Sequence, residues 1–254
     1  MDCCRVSKLP YFRSGTVTMV MLPLYEIDPP EGKTRPYVTY GLIALNISVS
    51  LFVLTAPAET YQAVLDTMGA VPAAEMRNVP GNGLFPPEWT LVTSMFLHRD
   101  WWHLATNMLF LWIFGDNIED AIGHFRFLVF YLLCGVAGVL CFIVIWPHST
   151  VILVGASAGI AGVLAAYLML RPYARIEILV VFWPLPCPAY VAIGLWILLQ
   201  AVQLQGEEAD GVAYTAHLGG AFVGALLIVV MRPRGIKLFN RMPAADDSDE
   251  ASKG

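Results

Sequence analysis

The stretch Val151–Tyr167, VILVGASAGIAGVLAAY, is built almost wholly from small and apolar residues and carries a single aliphatic hydroxyl, that of Ser157. Two readings compete for it. Small residues at this density let membrane helices pack at close range. They also leave Ser157 on a thin stretch of backbone, where a nucleophile is easily reached. The rest of the chain has to decide between them.

Composition places the stretch in a membrane. Of 254 residues, 57% are hydrophobic and only 14% charged, against about 25% charged in a soluble domain. Mean hydropathy is +0.62. Six apolar segments can be marked, at about 37–54, 101–115, 125–146, 155–170, 189–202 and 214–231. Several approach the roughly 20 residues that a helix needs to cross a bilayer. The expected fold is an all-α polytopic membrane protein, a six-transmembrane-helix bundle over residues 36–234. A cytoplasmic segment, 1–35, precedes it, and an acidic disordered cytoplasmic tail, 235–254, follows. The apolar run Ile176–Trp183 stops at PLPCP and reads as a helix end or loop leading into the fifth span.

Of the 15 Lys and Arg, only Arg77 and Arg99 fall on one side of such a bundle; the others flank the opposite ends. The bias puts both termini in the cytoplasm. Net charge is −5 with no basic face, so nucleic acid is not an expected partner. Cys3, Cys4, Cys134, Cys141 and Cys187 are odd in number and show no metal-ligand spacing, so they read as packing residues. No apolar h-region stands at the N-terminus, and no cleavable signal peptide is expected. The longest loop, about 56–100, lies on the outer side. Within it Tyr61, Val64, Leu65 and Met68 recur at helical spacing, predicting a short amphipathic helix along the membrane surface. VPGNGLFPPEW, residues 79–89, reads as turns.

Polar groups inside a bilayer are costly, so each needs a reason. Spans two, four and six run inward from the outer face. His103 and Asn107 stand near the start of span two, Ser157 near the start of span four, and His217 near the start of span six. Four polar residues from distant parts of the chain therefore share one shallow depth. A lone serine in a Gly/Ala-rich span is ordinarily a packing residue, and a lone Asn or His ordinarily bonds a neighbouring helix. Together they form a set with chemistry. Neutral His217 can take the Ser157 proton near neutral pH. No Asp or Glu lies at this depth to orient the histidine, which predicts a dyad. His103 and Asn107, four apart on one helix face, can donate hydrogen bonds to a developing oxyanion, as can the Ser157 backbone N–H. Gly220 and Gly224 form a GxxxG that lets spans four and six approach.

At these residues the sequence resembles the rhomboid family of intramembrane serine proteases. The likeness rests on HRDWWHLATNMLFLWIFGDNIED around His103 and Asn107, GASAGIAG around Ser157, and GVAYTAHLGGAFVG around His217. RPYVTYGLIALNISV is also similar to the first span of a bacterial member. The resemblance covers about residues 20–235. It implies a six-span bundle in a bacterial cytoplasmic membrane, with a water-accessible cavity open to the outer face. It further implies cleavage of the transmembrane segments of single-pass membrane proteins, within the lipid bilayer, with no cofactor or metal. Ser157 is then the nucleophile and His217 the base, with His103 and Asn107 as oxyanion side chains.

Two positions depart from the family. Ala158 follows the serine where glycine is usual, predicting a tighter helix start or a crowded oxyanion site. Ala161 stands where some members carry a tyrosine beneath the histidine. A second reading, a catalytically silent or weak rhomboid-like protein that binds membrane clients, stays open because of Ala158. A third, a transporter using His103 and His217 as proton sites, requires a charged path that spans four and six do not offer. His98 reads as an interfacial residue at a cavity rim, His124 and His148 as solvated loop residues. Trp112, Trp183 and Trp196 read as lipid or core packing, and Asp116, Glu119 and Asp120 as a helix-end cluster that anchors a loop.

Overall fold

The computed structural model describes residues 21–27, 34–77, 86–180, 182–204 and 212–240. Most of the expected N-terminal segment and acidic tail, and much of the turn-rich stretch before Pro86, lie outside these residues.

Six long helices fall where the apolar segments predicted them: α1 (Tyr37–Leu54), α5 (Trp101–Ile122), α6 (His124–Ile145), α7 (Ser157–Leu170), α8 (Ala189–Gln203) and α9 (Tyr214–Met231). Among the described residues, α1, α6 and α9 are long and apolar enough to cross a membrane, and α7 and α8 are shorter apolar helices. The chain is a mostly helical membrane protein. Helix α7 lies innermost: every residue from Ala158 to Tyr167 is buried. A helix apolar on all sides is stable only when surrounded, and α5, α6, α8 and α9 all pack against it.

Helix α5 continues to Ile122, seven residues past the expected end at 115. Its polar last turns are used rather than solvated. The fully buried Glu119 carboxylate accepts from the Val38 and Thr39 N–H groups and from the Thr39 hydroxyl, at 2.7–2.9 Å. It thereby caps α1, whose own N-terminal residue is proline with no side-chain cap. Asp120 accepts from Thr34. The expected anchoring cluster is thus a cross-helix cap. Gly123, with φ +85°, then turns the chain sharply into α6.

The purely helical expectation is corrected by a three-stranded antiparallel sheet in the order β1 (Met21–Glu26), β2 (Arg175–Val180), β3 (Trp183–Pro188). The segment read as a helix end is a β-hairpin. The reason is positional: β3 is an edge strand, and its prolines at 184, 186 and 188 alternate, so none has to donate to β2. In β2, Ile176 and Ile178 are buried on one face, covering the end of the bundle opposite Ser157. There Glu26 of β1 accepts from Tyr167 at 2.6 Å and pairs with Arg171. Pro23, Ile176 and Ile178 floor a small apolar crevice walled by Phe110 and Phe114 of α5 and by Ala192, Ile193 and Trp196 of α8.

The loop between α1 and α5 folds over the Ser157 end through α2 (Ala58–Met68), α3 (Pro72–Arg77), α4 (Pro87–Thr93) and a short 3₁₀ turn, Ser94–Phe96. The amphipathic α2 matches the helical spacing, with Leu65 buried against Val53 and Leu97. Ala70 and Leu153 exchange backbone hydrogen bonds of 3.1 and 2.8 Å, and the Gly155 N–H donates to the Ser94 carbonyl at 2.9 Å. These bonds fix the extended approach to α7.

Candidate active site

Helix α7 begins at Ser157, with Ala156 at its N-cap and no side-chain cap. Its first-turn N–H groups are the orphan donors of a helix start. Gly155, immediately before, holds φ +127°, a conformation open to glycine and strained for other residues. A side chain there would also collide: its Cβ would lie 2.7 Å from His103 Cε1, 2.9 Å from His103 Nε2 and 3.6 Å from Ser157 Oγ. The absent Cβ thus leaves a small space bounded by the His103 ring and the Ser157 hydroxyl.

His217 reaches Ser157 from α9. Its Nε2 lies 2.8 Å from Ser157 Oγ. The backbones permit this because Gly220, three residues on, has no Cβ; one placed there would stand 2.1 Å from the Ala158 carbonyl oxygen. One turn further, Gly224 meets the Gly162 backbone equally closely. The GxxxG of α9 therefore seats directly on α7.

From α5, His103 is oriented by Asp100, which accepts the His103 N–H at 2.8 Å and caps the helix. Asn107 is 7% exposed, and its Nδ2 has no hydrogen-bond partner among the described residues. A buried donor without an acceptor is uncommon and costly. Ser157, His217 and His103 thus meet at one end of the bundle from α7, α9 and α5, and Asn107 lies one helical turn beyond His103 on α5.

Three findings differ from the sequence reading. The Ala158 methyl has a partner that the sequence did not show. It is buried against α6 and α9, where Gly138 has no side chain to oppose it; a Gly138 Cβ would lie 2.7 Å from that methyl. The missing Gly138 side chain thus gives the extra methyl room. His98 is not an open rim residue: it is fully buried, its Nδ1 bonds Ser50 of α1 at 3.0 Å, and its ring meets His103 edge-on at 5.1 Å. Burial, with His103 nearby, pushes the His98 imidazole down to a pKa of about 3, so it is neutral. Trp196, read as general packing, has its ring 5.9 Å from that of His217. His148 is exposed as expected, whereas His124 bonds Glu119.

One residue escaped sequence reasoning altogether. Gln200 of α8, 7% exposed, places Oε1 2.7 Å from His217 Nδ1. The search was for a carboxylate, and a glutamine in an apolar helix has no titration to betray it. Its helical relation to Trp196, four residues earlier on the same face, was the available signal.

The family model described as the Rhomboid domain matches residues 87–234, more than half of the chain. The chain belongs to the rhomboid family. Among rhomboid relatives, it is 28% identical to Rhomboid protease AarA of Providencia stuartii over 225 residues, covering 80% of this chain and 75% of that protein. It is 35% identical over 144 residues to mitochondrial Rhomboid protein 1 of Saccharomyces cerevisiae, covering 54% of this chain and 40% of that one. With the chloroplastic Rhomboid-like protein 11 of Arabidopsis thaliana it shares 29% over 173 residues, 66% of this chain and 59% of the relative. The rhomboid domain contains α5 to α9 and hence all four candidate residues.

Proposed function

We propose that the chain is an intramembrane serine endopeptidase that cuts single-pass membrane proteins within their transmembrane segments, near the outer membrane face. The observation that carries this reading is the 2.8 Å contact between His217 Nε2 and Ser157 Oγ, made between helices whose serine and histidine lie 60 residues apart in sequence. That the Providencia stuartii relative is named a rhomboid protease adds support.

Ser157 attacks the scissile carbonyl while His217 takes its proton. The carbonyl oxygen becomes an oxyanion beside Gly155, within reach of the Ser157 N–H and the His103 and Asn107 side chains. The partnerless Asn107 Nδ2 suits this role, because a donor reserved for a transient charge costs no reorganisation when that charge appears. His217 then returns the proton to the leaving amine, and water releases the acyl group by the reverse exchange.

The domain comprises six spans over about residues 36–234, between a cytoplasmic segment, 1–35, and a cytoplasmic tail, 235–254. The skew of Lys and Arg supports this orientation. The membrane is a bacterial cytoplasmic one, in keeping with the bacterial relative that spans most of the chain. Helix α7, 14 residues long, spans about 21 Å at 1.5 Å per residue, against a hydrocarbon core of about 30 Å. Its short length supports a Ser157 set below the outer surface with water above it. A substrate helix hides its carbonyls in its own hydrogen bonds and must unwind before attack, so Gly or Pro near the cut favours cleavage.

The test is cleavage of a model single-pass substrate in proteoliposomes by wild type, Ser157→Ala and His217→Ala. Both variants are expected to lose cleavage. Wild-type rates in either would reject the dyad, and the silent client-binding alternative predicts no cleavage by any of the three.

A further inference from the structure

The geometry points to Gln200 as a positioning residue for His217, so that the site works as a Ser157–His217–Gln200 relay rather than as an isolated pair. This inference rests on the protease reading above. An amide oxygen can only accept a hydrogen bond. With Gln200 Oε1 2.7 Å from Nδ1, the proton of neutral His217 is held on Nδ1. Nε2 then presents its lone pair to the Ser157 hydroxyl at 2.8 Å, and the serine O–H donates. The opposite tautomer would put a proton on Nε2, facing the serine, and leave no base there. In transfer, the Ser157 proton moves to Nε2 as the new C–O bond forms. Gln200 keeps its bond to Nδ1–H throughout and accepts no proton itself.

A second contact makes the placement deliberate. Trp196, one turn before Gln200 on α8, packs on the His217 ring at 5.9 Å with the planes 32° apart. It occupies the neighbourhood of Ala161, Ala165 and Ala221, whose small side chains leave room for an indole. The support missing at Ala161 is thus supplied from α8. Trp196 fixes the ring plane, Gln200 fixes the tautomer, and both belong to one face of one helix. His103 of α5 is a further titratable side chain on the serine's side, its ring bounding the space at Gly155. Gln200 carries no charge, so it orients His217 without adding a fixed charge to the site.

The test compares Gln200→Leu and Gln200→Glu with wild type in proteoliposomes, measuring kcat and KM separately across pH. Nitrogen NMR of ¹⁵N-histidine-labelled wild-type protein, assigned with His217→Ala, reads the tautomer directly. Gln200→Leu is expected to lower kcat at least tenfold with KM within twofold. Gln200→Glu retains the acceptor and adds a negative charge at Nδ1, which favours the imidazolium. It is expected to remain active, with the acid limb of its kcat/KM profile moved to higher pH by about one unit. The wild-type spectrum is expected to show the His217 proton on Nδ1. A proton on Nε2, a Gln200→Leu variant with wild-type kcat, or an unmoved acid limb in Gln200→Glu would each overturn the assignment. Should Gln200→Leu fail to fold, the glutamate profile and the wild-type spectrum still decide. The protease reading fails separately, through Ser157→Ala cutting as well as wild type, whatever the Gln200 variants do.

Discussion

Replacing Gly220 by alanine tests whether the α7–α9 approach creates the site. An added Cβ would stand 2.1 Å from the Ala158 carbonyl oxygen. That is backbone and cannot rotate aside. Ordinary van der Waals contact begins at 3.4 Å, so the helices must separate by about 1.3 Å, the difference of the two distances, for close packing to survive. Ser157 adjoins Ala158, and His217 lies three residues from Gly220 on the same side of α9. The 2.8 Å Ser157–His217 contact therefore opens beyond hydrogen-bond range. A misplacement of about 1 Å costs roughly 10²-fold in rate, and the overpacking costs about 1–3 kcal/mol in stability. The assay is the rate of labelling by a fluorophosphonate in proteoliposomes, read beside thermal unfolding in detergent. Gly194→Ala, with nothing within 4 Å of the new methyl, is the control and should label as wild type. Wild-type labelling by Gly220→Ala would refute the link between helix approach and nucleophile activation.

Three further outcomes follow from packing and charge. Ala158→Gly should label at the wild-type rate, because its methyl is buried against α6 and α9, where Gly138 gives it room; lost burial and helix propensity should lower stability by about 1–2 kcal/mol, read by thermal unfolding. Glu119→Gln weakens a charged acceptor shared by three buried donors, and should lower stability by about 2 kcal/mol or more while leaving the labelling rate per folded molecule unchanged. His98 has a folded pKa of about 3 against about 6.5 unfolded, so its contribution is full above about pH 6.5 and is lost as pH falls toward 3. At pH 4.5 that loss is about 2–3 kcal/mol; His98→Gln should flatten the acid side of the stability profile by that amount, and an unchanged profile would contradict the buried neutral imidazole.

The four candidate residues could be grouped because the sequence states two things at once: where each polar residue falls along its apolar segment, and which segments are expected to run in the same direction. Depth is a one-dimensional property, and His103, Asn107, Ser157 and His217 needed only that. Gln200 needed more. It comes from the end of α8, which runs opposite to α9, and its meeting with Nδ1 depends on how far that helix leans toward its neighbour. Trp196 was hidden for the same reason, since aromatic packing on lipid and on a histidine look alike in sequence. The hairpin is not legible in the sequence because proline reads first as a breaker, although alternate prolines suit an edge strand. Ala158 shows the converse failure: the substitution was visible, but its partner, Gly138 on α6, could be identified only from the packing.

Mass spectrometry of fluorophosphonate-labelled protein distinguishes a Ser157 activated by His217 from any other reactive hydroxyl. One adduct is expected, on the peptide containing Ser157, absent from Ser157→Ala and strongly reduced in His217→Ala. An adduct on another residue, or undiminished labelling without His217, would contradict that activation.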